Sequence, residues 1–426
     1  MDYEFAYGSS SVKVSLPEGC DVTLLKGNSV PPVTDIRKTL IDSLESPTGS
    51  PALRQRLKKG DRVALVISDM SRFWMRQDLV IPHLTDYLTD VCGINDEDIT
   101  IIVANGTHSP GDEKEMRTLV TDSVYERFRL KNHDCQAQDL VYIGTTSFGN
   151  DIYIDPDAAG ADMVITLGAV THHVMAGFGG GRKSILPGIC GMDTIKRNHA
   201  LSLDPHEFIP DPRTGNGILQ GNPVHLDMCE AAGMIKNIFV ISLVMNTDMI
   251  LSGIYSGDLD SSWTEAVKAV DDMYTVWTDR PADVIFAGCG GYPKDMSMYQ
   301  GTKTIDNIEG LLRPGGQLIF IAEARDGGGP EEYFGWMKDL TGGTFEHRLR
   351  NDFTIPGFIF FLNVRQAKKY DILMYTTIPP ETLAPMGIRA FSDMDELMKN
   401  VKLDNRTIYV IPCGSTVVPR VKGHGQ

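Results

Sequence analysis

The sequence has few cysteines, no long apolar run and no excess of basic charge, and each absence removes a class of protein. The seven cysteines, Cys20, Cys92, Cys135, Cys190, Cys229, Cys289 and Cys413, are odd in number, widely scattered and form no CxxC pair. That supports neither a disulfide framework nor a zinc cage, and scattered thiols suit a reducing compartment. The longest apolar runs, such as Ile238–Met245 and Ile359–Leu362, fall far short of the ~20 residues that span a bilayer. The first residues, MDYEF, lack the basic-then-apolar layout of a secretory signal. Forty basic against 56 acidic residues give a net charge of −16, so the basic footprint of a nucleic-acid binder is missing. The expectation is a cytoplasmic enzyme with neither nucleic acid nor membrane as partner.

What is present is a chain of 426 residues, 42% of them hydrophobic, enough for two domains with sizeable cores. Its 42 glycines exceed the ~30 of average usage, which points to tight turns or backbone packed close to a ligand. Short β-branched runs alternate with amphipathic stretches, the pattern of stacked βα units. Strands are expected at 62–68, 99–104, 163–167 and 239–244, and a second set at 284–287, 318–321 and 371–375. Ser109 and Pro110 read as the cap and first residue of a helix. The polar segment 273–282 reads as a linker. The predicted fold is α/β: two α/β domains, 1–272 and 280–426, with largely parallel sheets and an interdomain active-site cleft. The last strand, 407–411, could return to the first domain.

Ligands of open α/β sheets gather at the carboxyl ends of strands. Three unusual clusters fall there: Asp69–Arg72 (DMSR), Asn105–His108 (NGTH) and Thr171–His173 (THH). Histidine is the side chain best matched to proton transfer near neutral pH, and two of them with an arginine make an acid/base site plausible against the blander reading of hydrogen-bonded loop residues. Downstream, Ala176–Gly188 (AGFGGGRKSILPG) is rich in glycine; Gly177, Gly179, Gly180 and Gly181 could cradle an anion, with Lys183 pointing at it. The run nearly matches GxxxxGK[ST], but Arg182 stands where the second glycine belongs. His199 lies on a predicted helix over 193–201. No HExxH pattern accompanies it, so any metal there takes its other ligands from something besides protein. In the second half, Tyr299 and Lys303 are four apart on a predicted helix beside Gln300 and share a face.

Taken in order, these motifs resemble the lactate racemase family, which uses a nickel-pincer nucleotide. The resemblance runs from Ser46–Pro51 (SPTGSP) to Gly327–Gly329 and is densest at Asp69–Arg72, Asn105–His108, His173–Lys183, Leu186–Gly188, Asn198–His199, Gly221–Pro223 and Gly290–Asp295, with Tyr299, Gln300 and Lys303. It implies a racemase or epimerase of a 2-hydroxy acid, acting by reversible hydride transfer from the α carbon. Lys183 would carry the cofactor, nickel pyridinium-3,5-bisthiocarboxylic acid mononucleotide, through a covalent thioamide link, and His199 would be the one protein ligand to nickel. His108 and His173 would be the acid/base pair. Arg72 and Lys303 would hold anionic groups of the substrate, Asp69 would orient a neighbour, Gly179, Gly180 and Gly181 would cradle the cofactor, and Tyr299 and Gln300 would line its pocket. The implied partners are a small 2-hydroxy acid or sugar acid, the proteins that make the cofactor, and a second copy in a homo-oligomer.

The sequence departs from the family in three places. His172 replaces the usual proline before His173, which opens the question of which histidine faces the site; spacing to Gly177 favours His173. Gly179 replaces a common serine. Residues 355–361 (IPGFIFF) stand where lactate-specific members carry a tryptophan, implying a different side-chain pocket and a substrate other than lactate. Two rival readings stay open: a phosphate-binding-loop, nucleotide-dependent transferase using Lys183, and a non-catalytic two-domain module that clamps an anion.

Overall fold

The computed structural model describes residues 1–423, which form two units. One is Ser29–Met273. The other joins Met1–Asn28 to the chain from Tyr274 onward.

The 29–273 unit is built on a six-stranded sheet in the order Leu251–Gly257, Ile238–Met245, Met163–Ala169, Val63–Ser68, Ile99–Ala104, Arg129–Asn132. The first pair is antiparallel and every other pair parallel. Val63–Ser68 (VALVIS) lies in the middle and is apolar without alternation because helices cover both faces of a parallel sheet. Leu65, Ile67, Ile101, Ile165 and Ile241 share one core with Leu40, Leu84 and Leu88 from the covering helices. Val63–Ser68, Ile99–Ala104 and Met163–Ala169 are neighbours, so Asp69, the Asn105–His108 turn and the Thr171–His173 segment leave the sheet at adjacent carboxyl ends.

The helix expected from Ser109 begins instead at Glu113, capped by Asp112. Asp112 accepts from the Glu115 amide while Glu115 reaches back to the Asp112 amide, and this reciprocal box outcompetes the Ser109–Pro110 start.

The other unit is also built on a six-stranded sheet, all parallel, in the order Arg389–Phe391, Asp371–Tyr375, Leu312–Ile321, Ala282–Gly288, Thr407–Ile411, Asp21–Leu24. The first 28 residues therefore differ from the expected 1–272 boundary. Asp21–Leu24 finds its ladder on Thr407–Ile411, and Phe5 and Val14 bury in a core with Val284, Phe286 and Ile319. The strand 407–411, which could have returned to the first domain, lies between Ala282–Gly288 and Asp21–Leu24. Residues 273–282, read as a linker, contain a strand, Thr275–Thr278, paired with Val418–Val421. Among the described residues no helix is long and apolar enough to cross a membrane.

Candidate active site

Asp69 is buried at the end of the central strand, and a 3-10 turn, Met70–Met75, carries Ser71 and Arg72 beside it. Its Oδ2 lies 2.8 Å from His108 Nδ1, and its Oδ1 accepts from the Ser71 hydroxyl at 2.8 Å. Arg72 donates to that hydroxyl at 3.1 Å. Burial pushes the Asp69 carboxyl up. The hydrogen bond and charge of His108, with Arg72 and Ser71, outweigh it and leave the group below its ordinary value. A charged Asp69 draws the His108 proton to Nδ1 and leaves the Nε2 lone pair outward, the form a base needs. Because the carboxyl is lowered, its contribution to stability is present above the ordinary carboxylate range and is lost as pH falls through the lowered value. Asp69→Asn should flatten the acid limb of a denaturation-against-pH curve; an unchanged limb would contradict the pairing.

The two neighbouring histidines take opposite faces. His172–His173 pairs with Gly177–Phe178 as a short antiparallel ladder, so successive side chains point to opposite faces. His172 turns to Asp271, with Nε2 3.0 Å from Oδ1, and packs on Phe178. His173 turns the other way: Nε2 lies 2.9 Å from Lys183 Nζ, and Nδ1 accepts from the amides of Met175 and Ala176, each at 3.2 Å.

The glycine loop differs from the expected cradle of bare amides. The Gly179 amide donates to Thr171 O at 2.7 Å, and the Gly179 carbonyl accepts from the Trp263 indole at 2.8 Å. Gly181 has φ +53°, and a Cβ there would sit 2.7 Å from the Trp263 ring, so only glycine fits. Gly181–Ser184 is a 3-10 turn, where a nucleotide-triphosphate loop would open an α-helix. Arg182 explains the missing second glycine: it is 1% exposed, with its guanidinium 3.8 Å above Trp263, Nε donating to His225 Nδ1 and Nη2 to Ala176 O. Burial lowers the Arg182 pKa to about 10, and burial and then the Arg182 charge push His225 down to about 4. With Arg182 turned inward, Lys183 turns toward His173.

His199 lies on Met192–Ala200 and is 3% exposed. Its Nδ1 sits 3.0 Å from Ile195 O, which takes the ring hydrogen and leaves a lone pair on Nε2. Burial, the largest cause, pushes its pKa down to about 3, so the ring is neutral at physiological pH. Among the described residues no group of three or more His, Cys, Asp or Glu could hold a metal. A metal on His199 therefore needs a ligand set that arrives with it.

Asp227, Trp263, His225 and Ser71 were not singled out from the sequence. Asp227 is fully buried on Pro223–Gly233 and accepts from Asn198, Asn150 and Thr146, which ties the His199 helix in place. One acid on an otherwise apolar helical face was the available signal; Trp263 gave none. Asp227→Ala should strand these donors and destabilise the unit by about 3 kcal/mol, measured as a shift in urea midpoint.

In the other unit, Tyr299, Gln300 and Lys303 ride on Met298–Asn307, which follows the carboxyl end of Ala282–Gly288 and is capped by Ser297. Lys303 Nζ lies 3.4 Å from Gln300 Oε1, and the Tyr299 ring meets Tyr333 edge-on. Residues 355–361 open the helix Ile355–Lys369, where Phe358, Phe360 and Phe361 are buried.

The lactate racemase N-terminal domain family matches residues 7–209, and the C-terminal domain family matches residues 277–419. A lactate racemase of Lactiplantibacillus plantarum is 32% identical over 308 residues, 71% of this chain and 70% of that protein. The chain belongs to the lactate racemase family. A second family member, the lactate racemase of Thermoanaerobacterium thermosaccharolyticum, is 28% identical over 339 residues, 79% of this chain and 78% of that one. The structure of a lactate racemase apoprotein from the same organism superposes with a TM-score of 0.87 at 26% identity, covering 99% of this chain and 100% of the other. A Thermotoga maritima protein of known crystal structure shares the fold, with a TM-score of 0.64 at 16% identity over 91% of this chain and 97% of its own. As a member of the lactate racemase family the chain is an isomerase, and the transferase reading of the glycine loop falls away.

Proposed function

We propose that the chain racemises or epimerises a small 2-hydroxy acid with His108 and His173 as the acid/base pair. One observation carries the reading: two imidazoles at strand ends on either side of the central strand Val63–Ser68, each with Nδ1 fixed by a neighbour, stand in the unit that also holds the neutral, buried His199. The names of the relatives make lactate the first substrate to try, followed by larger 2-hydroxy acids and sugar acids.

The residues present fit a nickel-pincer nucleotide. Lys183 offers an amine, His199 offers one nitrogen lone pair, and among the described residues no group of three or more His, Cys, Asp or Glu competes for the metal. When bound, this group supplies an acceptor for the α hydrogen as hydride. Gly180 and Gly181 remain the proposed cradle, with Tyr299 and Gln300 assigned to the cofactor on the family resemblance.

The acid/base logic belongs to the chain. The α C–H of a 2-hydroxy acid is hardly acidic, and the adjacent carboxylate disfavours a carbanion. Taking the hydrogen with its electron pair while a base takes the hydroxyl proton gives a planar 2-oxo acid. Its two faces are then open to return, so one histidine is needed for each hydroxyl position. Asp69 orients His108 through the 2.8 Å contact at Nδ1, which leaves Nε2 to face outward. Arg72, and Lys303 by resemblance, hold the carboxylate against the overall charge of −16.

The test is isotopic. Loaded chain given 2-deuterated substrate should racemise it with the label retained; wash-out of deuterium into water would overturn hydride transfer in favour of proton abstraction. Tight binding of a hydroxy acid with no turnover by loaded chain would instead favour the anion-clamping module.

A further inference from the structure

The His173–Lys183 contact fixes protons as well as positions. Nδ1 of His173 accepts from two main-chain amides, Met175 and Ala176, each at 3.2 Å. A hydrogen on that nitrogen would face two others, so the neutral ring carries its hydrogen on Nε2. Nε2 lies 2.9 Å from Lys183 Nζ. An ammonium has three donors and no acceptor, so N–H would oppose N–H; an uncharged amine has the lone pair this contact requires.

We propose that, before any cofactor is attached, His173 holds Lys183 as an uncharged amine, making it the chain's most reactive lysine toward acyl electrophiles. This is a positioning role that precedes the acid/base role of His173, and it rests on the reading of Lys183 as the attachment residue. In attachment, the amine nitrogen adds to a thiocarboxyl carbon, an N–C bond forms and a C–O bond breaks. The amine hydrogen leaves with the hydroxide as water, with no oxidant or reductant. The nitrogen lone pair is then delocalised and no longer accepts, which releases His173 Nε2 for a substrate hydroxyl.

The test uses full-length chain made without the cofactor-synthesis proteins and p-nitrophenyl acetate at neutral pH, with acetylation followed at each lysine by peptide mass spectrometry. Lys183 should react at least about tenfold faster than exposed Lys58, Lys59 and Lys338. His173→Phe, which lacks the donor, should remove that advantage, and His173→Gln, which keeps an N–H, should retain most of it, with matched thermal unfolding as the folding control. Nitrogen NMR on the unloaded chain should show His173 Nδ1 bare and Nε2 protonated. Lys183 no faster than the exposed lysines, equal rates in the wild type and the Phe variant, or a protonated Nδ1 would each overturn the proposal. Co-production with the cofactor-synthesis proteins separates the two readings: an adduct on an unreactive Lys183 sinks the positioning role alone, and a reactive Lys183 that never gains an adduct sinks the attachment.

Discussion

Lys183→Ala is expected to yield a folded protein with no covalent adduct and racemase activity reduced by more than about 10⁴-fold, because without the attached group only the slow uncatalysed reaction remains. Lys183→Arg should be equally inactive. It supplies a positive charge but cannot form the thioamide, so the pair separates a covalent role from an electrostatic one. Intact mass and turnover on chain co-produced with the cofactor-synthesis proteins read both outcomes. Activity retained in Lys183→Arg would show that charge alone suffices and would remove the covalent assignment.

His108→Ala and His173→Ala should each lower kcat by about 10²–10⁴-fold per loaded chain, the usual worth of a positioned acid or base. Normalising to adduct matters, since loss of His173 should also slow loading. In a single turnover each variant should still oxidise one enantiomer to the 2-oxo acid and fail on the other, with opposite preferences. The same enantiomer failing in both would contradict one histidine per face. His172→Ala, whose ring turns to Asp271, should cost far less than His173→Ala. The reverse order would reassign the pair.

The central strands could be read from sequence because parallel strands covered on both faces give continuous apolar runs, as in VALVIS at 63–68 and ITIIVA at 99–104. Where Asp21–Leu24 goes could not be read that way. Its four residues pair with Thr407–Ile411 across nearly the whole chain, and nothing local in them names the partner. The choice of His173 over His172 followed from spacing to Gly177, and the pairing of His173 with Gly177 is the register behind it. Arg182 was legible only as an objection, a side chain where a phosphate loop wants glycine. Its burial against Trp263 depends on a helix some eighty residues downstream. Asp227 escaped because a lone acid between apolar neighbours reads as an exposed position until three donors are found around it.

The account turns on one proposal, that this isomerase works through a group held by Lys183 and His199. The measurement that meets it most directly is peptide-mapped intact mass with nickel content on chain co-produced with the cofactor-synthesis proteins, alongside racemisation of lactate and a panel of larger 2-hydroxy acids. The account predicts an adduct on Lys183, close to one nickel per chain, loss of that nickel in His199→Ala, and turnover proportional to adduct. Full turnover by chain with unmodified Lys183 and no nickel would contradict it.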